Sequence, residues 1–243
     1  KERGVLSFLT RYLGTIDHVV TASAGNHAQA LAFHADRLGI KSTIFMPEGT
    51  PNNKVTATEN YKGNVIIKGL SYEESFSYAM EYAKESKGRY VHAYNDIDII
   101  IGQASVALEI MSQVANPDII IVPVGGGGLI SGISCYIKNL SMPHKPKILG
   151  VNALDYKTKK STKTIAEGIA LKNMGDLPIN ICSETLVDYV GVLDIEIQKA
   201  IILLLSMQKI VVEGAGAASV AALLKDEVSK TLVNKNIVVV ISG

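Results

Sequence analysis

Short runs of β-branched and apolar residues alternate along the chain with segments whose apolar positions recur at helical spacing. "HVVTAS" precedes "NHAQALAFHADRLG", "STIFMP" precedes "NNKVTATENY", and "NVIIKG" precedes "YEESFSYAMEYAKESK". The alternation continues through "RYVHAY", the helical "IIIGQASVALEIMSQV", "DIIIVPV", a helix after four glycines, and "KILGVN". Strands interleaved with helices predict an α/β fold with mostly parallel sheet covered by helices. Runs such as "DIIIVPV" and "NIVVVIS", apolar without a break, fit strands buried on both faces. The apolar stretch 200–224 is interrupted by Lys209, Glu213, Gly214 and Gly216, so it reads as two buried helices and a turn rather than a membrane span. The lysine-rich, aperiodic 152–164 reads as a solvated loop.

Composition narrows the function classes. Basic and acidic side chains nearly cancel, 24 against 23, and the basic ones are scattered, which argues against a nucleic-acid surface and for small-molecule chemistry. Cys135 and Cys182 stand far apart in no metal spacing, so they read as reduced thiols of a cytoplasmic protein. His18, His34, His92 and His144 have no ligand spacing either, and no metal is expected.

Two strand-to-helix junctions carry polar chemistry. In "VPVGGGGLISG", Gly125, Gly126, Gly127 and Gly128 follow a buried strand and lead into a helix at Leu129. Glycine lets successive N–H groups converge on one anion, and a helix start adds its own N–H groups and dipole. The segment has neither the Gly-Lys-Ser/Thr ending of a nucleotide loop nor the spacing of a dinucleotide turn. Four glycines in a row favour a phosphate over a merely tight turn. The second junction, "VVTASAGNHAQALAF", gathers Ser23, Asn26 and His27 around Gly25. A helix cap at Ser23 or Asn26 with His27 on the surface would explain it alone. Two such junctions on one sheet favour a shared pocket, because ligands in these folds sit at the carboxyl ends of strands.

With "SAGNHAQALAF", "VPVGGGGLISG", "TIAEGIA", "VVEGAGAASVAALL" and the terminal "VVVISG" in this order, the chain resembles the threonine/serine dehydratases among the fold type II pyridoxal-phosphate (PLP) enzymes. The initial "KERG" resembles the end of their lysine-bearing motif. The resemblance implies a two-lobed fold, with a small α/β lobe over 15–94 and a large PLP-binding lobe from 1–14 and 95–243, sharing the cofactor between them. It implies that Lys1 carries PLP and acts as catalytic base, that Asn26 faces the ring hydroxyl, that Gly125, Gly126, Gly127, Gly128 and Leu129 hold the phosphate, and that Ser242 meets the ring nitrogen. Ser23, Ala24, Gly25, Asn26 and His27 are the expected carboxylate-binding turn, with Ser23 also a catalytic candidate.

The expected reaction is β-elimination of water from L-threonine or L-serine, giving a 2-oxo acid and ammonia. A serine racemase-like activity and a non-catalytic anion-binding domain are the alternatives. Ala24 stands where racemase relatives carry a serine, which favours elimination, and His27 replaces the threonine of cysteine synthases. Glu213 is open between a pocket carboxylate and a helix cap, and Asn152 stands where relatives have a metal-binding glutamate, with Asp155 the nearest carboxylate. A homo-oligomer taking an amino-acid substrate is expected, without nucleic acid or membrane partners. The segment has the look of a fragment of a longer chain.

Overall fold

The computed structural model describes residues 1–154, 163–171, 173–185 and 187–243, which fall into two compact units, Lys1–Gln103 and Ala104–Gly243. Each unit is built on a four-stranded parallel sheet. In the first, β1 (His18–Ala22), β2 (Lys41–Met46), β3 (Asn64–Ile67) and β4 (Arg89–Tyr90) lie in the order β3-β2-β1-β4. In the second, β5 (Ile119–Pro123), β6 (Lys147–Ala153), β7 (Asp188–Val192) and β8 (Ile237–Val239) lie in the order β7-β6-β5-β8.

Apolar strand residues are buried on both faces. Ile120 and Val122 pack with Ile130 and Ile133, while Ile121 between them points into a core made of Ala217, Ala218 and Ala221. In β1 the same two-residue period sends Val19 to one core and Val20 and Ala22 to another. The expected helices appear as α1 (Glu2–Arg11), α2 (Asn26–Arg37), α3 (Asn52–Asn60) and α4 (Tyr72–Glu85). The single helix expected near residues 99–114 is two, α5 (Ile97–Gln103) and α6 (Ser105–Gln113). Further on come α7 (Gly128–Lys138), α8 (Asp176–Glu184), α9 (Asp194–Leu203) and α10 (Gly214–Leu223). Most of the 152–164 segment, Asp155 included, lies outside the described residues. No helix of the described residues is long and apolar enough to cross a membrane.

α1 sets the place of Lys1, its N-cap residue. Val5, Phe8 and Leu9, spaced for one helical face, are buried against Leu31, Val91 and Ile99. Gly4 and Gly102 let α1 and α5 approach backbone to backbone: a Cβ on Gly4 would lie 2.8 Å from Ile99 O, and one on Gly102 2.7 Å from Arg3 O. At the other end of α1, Asp98, 4% exposed, accepts hydrogen bonds from Arg11 Nη1 and Tyr12 Oη, each at 2.7 Å.

Candidate active site

Lys1 follows from that packing. Its carbonyl accepts the Val5 N–H at 3.3 Å and the Gln103 Nε2–H at 3.3 Å, which ties the residue to its own helix and to α5. Its Nζ lies 3.4 Å from Ala93 O and 5.7 Å from the centroid of the Tyr94 ring. Lys1 keeps contact with solvent, but the protein packed around the ammonium desolvates it and pulls the amine down to about 8. An amine so placed is present in quantity, unprotonated, near neutral pH.

The turn that ends β1 belongs to the same unit. Ser23 N–H donates to Phe45 O at 3.1 Å and continues the ladder by one residue. Ser23 Oγ then accepts the Gly25 N–H at 3.3 Å, closing a small hydroxyl turn rather than capping the helix; Gly25 is the N-cap of α2. Among the described residues the N–H groups of Ala24 and His27 have no backbone acceptor, and with the α2 start they present donors suited to a carboxylate. Ser23, Ala24 and Gly25 are half-buried and Asn26 is exposed.

His27 is not the surface residue that a simple cap would make it, being 2% exposed. Its Nε2 lies 3.1 Å from Val91 O, a carbonyl, so the proton sits on Nε2 and Nδ1 is a buried acceptor without a hydrogen-bond partner. Burial first, then the positive charge of Lys1, push the imidazole down to about 3. The unfolded chain therefore binds a proton below about pH 6.5 that the folded chain refuses until about pH 3, so His27 withdraws stability as pH falls through that window and none above it. His27→Gln is expected to flatten the pH dependence of the urea midpoint across the window; equal slopes for the two proteins would refute it.

The second unit holds the glycine turn, which follows β5 and so stands on a different sheet from the turn after β1, not on the single sheet that the sequence suggested. Gly127 is the left-handed N-cap of α7, with φ of 92°. A Cβ there would run into Met174 Cε and lie 2.7 Å from Pro178 Cβ, and one on Gly125 would lie 2.9 Å from Ile169 Cα. Val124 N–H donates to Val151 O at 2.8 Å and Ser131 N–H to Gly127 O at 2.9 Å. Among the described residues, the N–H groups of 125–130 between them have no hydrogen-bond acceptor. A run of donors around a helix start, walled closely at Gly125 and Gly127, is a cradle for an anion.

Ser242 is exposed beyond β8, which pairs with β5 in the register Ile121↔Val239. Parallel pairing thus brings both the glycine turn and Ser242 off the carboxyl edge of neighbouring strands. Gly243 O accepts the Glu213 N–H at 3.2 Å. Glu213 is the N-cap of α10 but makes no side-chain cap bond; its Oε1 instead lies where a Cβ on Gly168 would be 2.8 Å away. Nothing in the sequence marked Met174, Pro178, Val91 or Tyr94, because each matters through a contact with a distant segment.

Each unit by itself offers a group that suits a phosphorylated aldehyde: the cradle of backbone donors in the second unit suits the phosphate, and the Lys1 amine in the first, lowered by burial, suits the aldehyde. Residues 1–243 match the family described as pyridoxal-phosphate dependent enzyme. The chain belongs to this family. An L-threonine ammonia-lyase of Geobacter sulfurreducens is 39% identical over 243 residues, covering 94% of this chain and 60% of the lyase. A threonine deaminase isoform from Solanum lycopersicum superposes with a TM-score of 0.88 at 30% identity, covering 99% of this chain and 70% of that one. Maize serine racemase gives a TM-score of 0.91 at 31% identity, over 100% of this chain and 78% of that one. The chain spans 60% of the length of that lyase and shares the fold of the two solved structures.

Proposed function

We propose that the chain is the catalytic part of a lyase that converts L-threonine to 2-oxobutanoate and ammonia, or L-serine to pyruvate and ammonia. The observation that carries this reading is the Lys1 amine, drawn down to about 8 by burial within a family that uses pyridoxal phosphate. The cofactor, when bound, supplies an electron sink for charge that develops at the substrate Cα. Lys1 would hold the cofactor and, as a free amine, would take the Cα proton on Nζ. Residues 125–129 take the phosphate through backbone N–H groups. Asn26 would hold the cofactor's ring hydroxyl and Ser242 its ring nitrogen. Ser23 through His27 hold the substrate carboxylate, with Ser23 supplying its hydroxyl.

The lyase and deaminase names among the relatives support this assignment. Ala24 supports elimination over racemisation, since its methyl group can carry no proton to the opposite side of the Cα. The lobe division at 15–94, a cytoplasmic setting and a homo-oligomer acting on a free amino acid belong to the same proposal. The test is 2-oxo acid release from each amino acid with added pyridoxal phosphate. Appearance of the D-amino acid without 2-oxo acid would point to racemisation, and cofactor binding with neither product to a non-catalytic domain.

A further inference from the structure

The segment just past β4 does more than end a strand. Val91 N–H donates to Val20 O at 2.8 Å, and Val91 O accepts both Thr21 Oγ1–H at 2.8 Å and His27 Nε2–H at 3.1 Å. One residue later, His92 Nδ1 accepts the N–H groups of Tyr94 at 3.3 Å and Asn95 at 2.9 Å, and its ring meets the Tyr94 ring edge-on at 4.6 Å. In the same short segment lie Ala93 O and the Tyr94 ring, both beside Lys1 Nζ. His92 must be neutral, because its Nδ1 accepts and its proton therefore sits on Nε2, and burial keeps His27 neutral with its proton on the Nε2 that donates to Val91 O. No second cation is thereby brought to the lysine.

We propose that residues Val91–Asn95 are the seat of the Lys1 ammonium whenever the lysine is not bonded to cofactor, with Ala93 O and the Tyr94 ring holding the charge and His27 and His92 acting as positioning residues. The inference rests on the reading of Lys1 as the reactive lysine. A buried amine by itself becomes a poor place to keep a proton. A carbonyl oxygen and a π-face restore part of the lost solvation, so the amine can hold the proton it takes and give it back. The titratable groups around it are His27 from α2, His92 and Tyr94 from the seat, and Glu2 and Arg3 from its own helix, while α5 contributes the neutral Gln103 amide. Burial pushes the Tyr94 phenol up, so it stays neutral where the amine titrates.

The test reads the lysine directly on cofactor-free protein. Pyridoxal phosphate is added across a pH series, the adduct is trapped with borohydride, and the rate of labelling at Lys1 Nζ is followed by peptide mass spectrometry. The wild-type midpoint is expected near about 8. Tyr94→Leu removes the π-face and is expected to lower the midpoint by about 0.5–1 unit, whereas Tyr94→Phe retains the face and the midpoint. His27→Leu is expected to lower it as Ala93 O drifts, and His27→Gln, which keeps an N–H for Val91 O, to restore it. Absence of label on wild-type Lys1 would sink the assignment of the lysine itself. Label on Lys1 with midpoints unmoved or raised in Tyr94→Leu would overturn the seat, and equal midpoints in wild type, His27→Leu and His27→Gln would overturn the positioning role of His27.

Discussion

Lys1→Ala is expected to leave a folded protein whose release of 2-oxo acid from threonine has fallen by about a thousandfold or more. The folded state survives because the Lys1 side chain caps nothing: α1 starts at Glu2 with no side-chain cap bond, and its apolar face at Val5, Phe8 and Leu9 is untouched. Removing a desolvated ammonium also relieves a cost of folding. On the proposed reading chemistry is lost for two reasons at once, because the same nitrogen would tether the cofactor and accept the substrate proton. The measurement is a paired one, thermal unfolding alongside coupled detection of 2-oxobutanoate. Activity within tenfold of wild type would show that another group is the base, and a collapse of the melting transition would show that the residue is structural.

Gly127→Ala is the second large effect, and it acts through shape. The new Cβ must enter space held by Met174 Cε and Pro178 Cβ, at a φ of 92° that non-glycine residues rarely adopt. Left-handed strain and overpacking together are expected to cost about 2–5 kcal/mol of stability. Relief requires the turn to move away from Met174 and Pro178, which would also break the convergence of the 125–130 donors. Loss of stability should therefore come with weaker binding of inorganic phosphate and of the cofactor, read by calorimetry at a temperature where the variant remains folded. Normal phosphate affinity in a destabilised variant would separate the turn's packing from anion binding.

The alternation of strand and helix was legible because parallel strands buried on both sides cannot hide their composition: Ile119–Val122 and Val19–Val20 have no polar face to offer. The glycine turn was legible for the opposite reason, since few arrangements need a residue without a side chain four times over. Half-exposed elements were not. β7 lies at the sheet edge with Asp188 and Tyr189 exposed, and α8 buries only Pro178 and Cys182, so neither has a strong period. β4 is shorter than "RYVHAY" suggests because after Val91 the chain turns, with His92 Nδ1 taking N–H groups that a ladder would have used. For His27 the sequence left a surface role as open as a ligand-binding one. Its burial depends on Val91, 64 residues away, and no local pattern encodes that contact.

The meeting of Gly4 and Gly102 has a consequence for how the amine answers to its surroundings. Charges hold the far end of α1, where Arg11 reaches Asp98, and dissolved ions can screen the exposed guanidinium within about 10 Å at 0.1 M. Mere contact of bare main chain holds the near end, and electrolyte has no purchase on that. Brine should slacken the tail of the helix and leave the Lys1 end where it was.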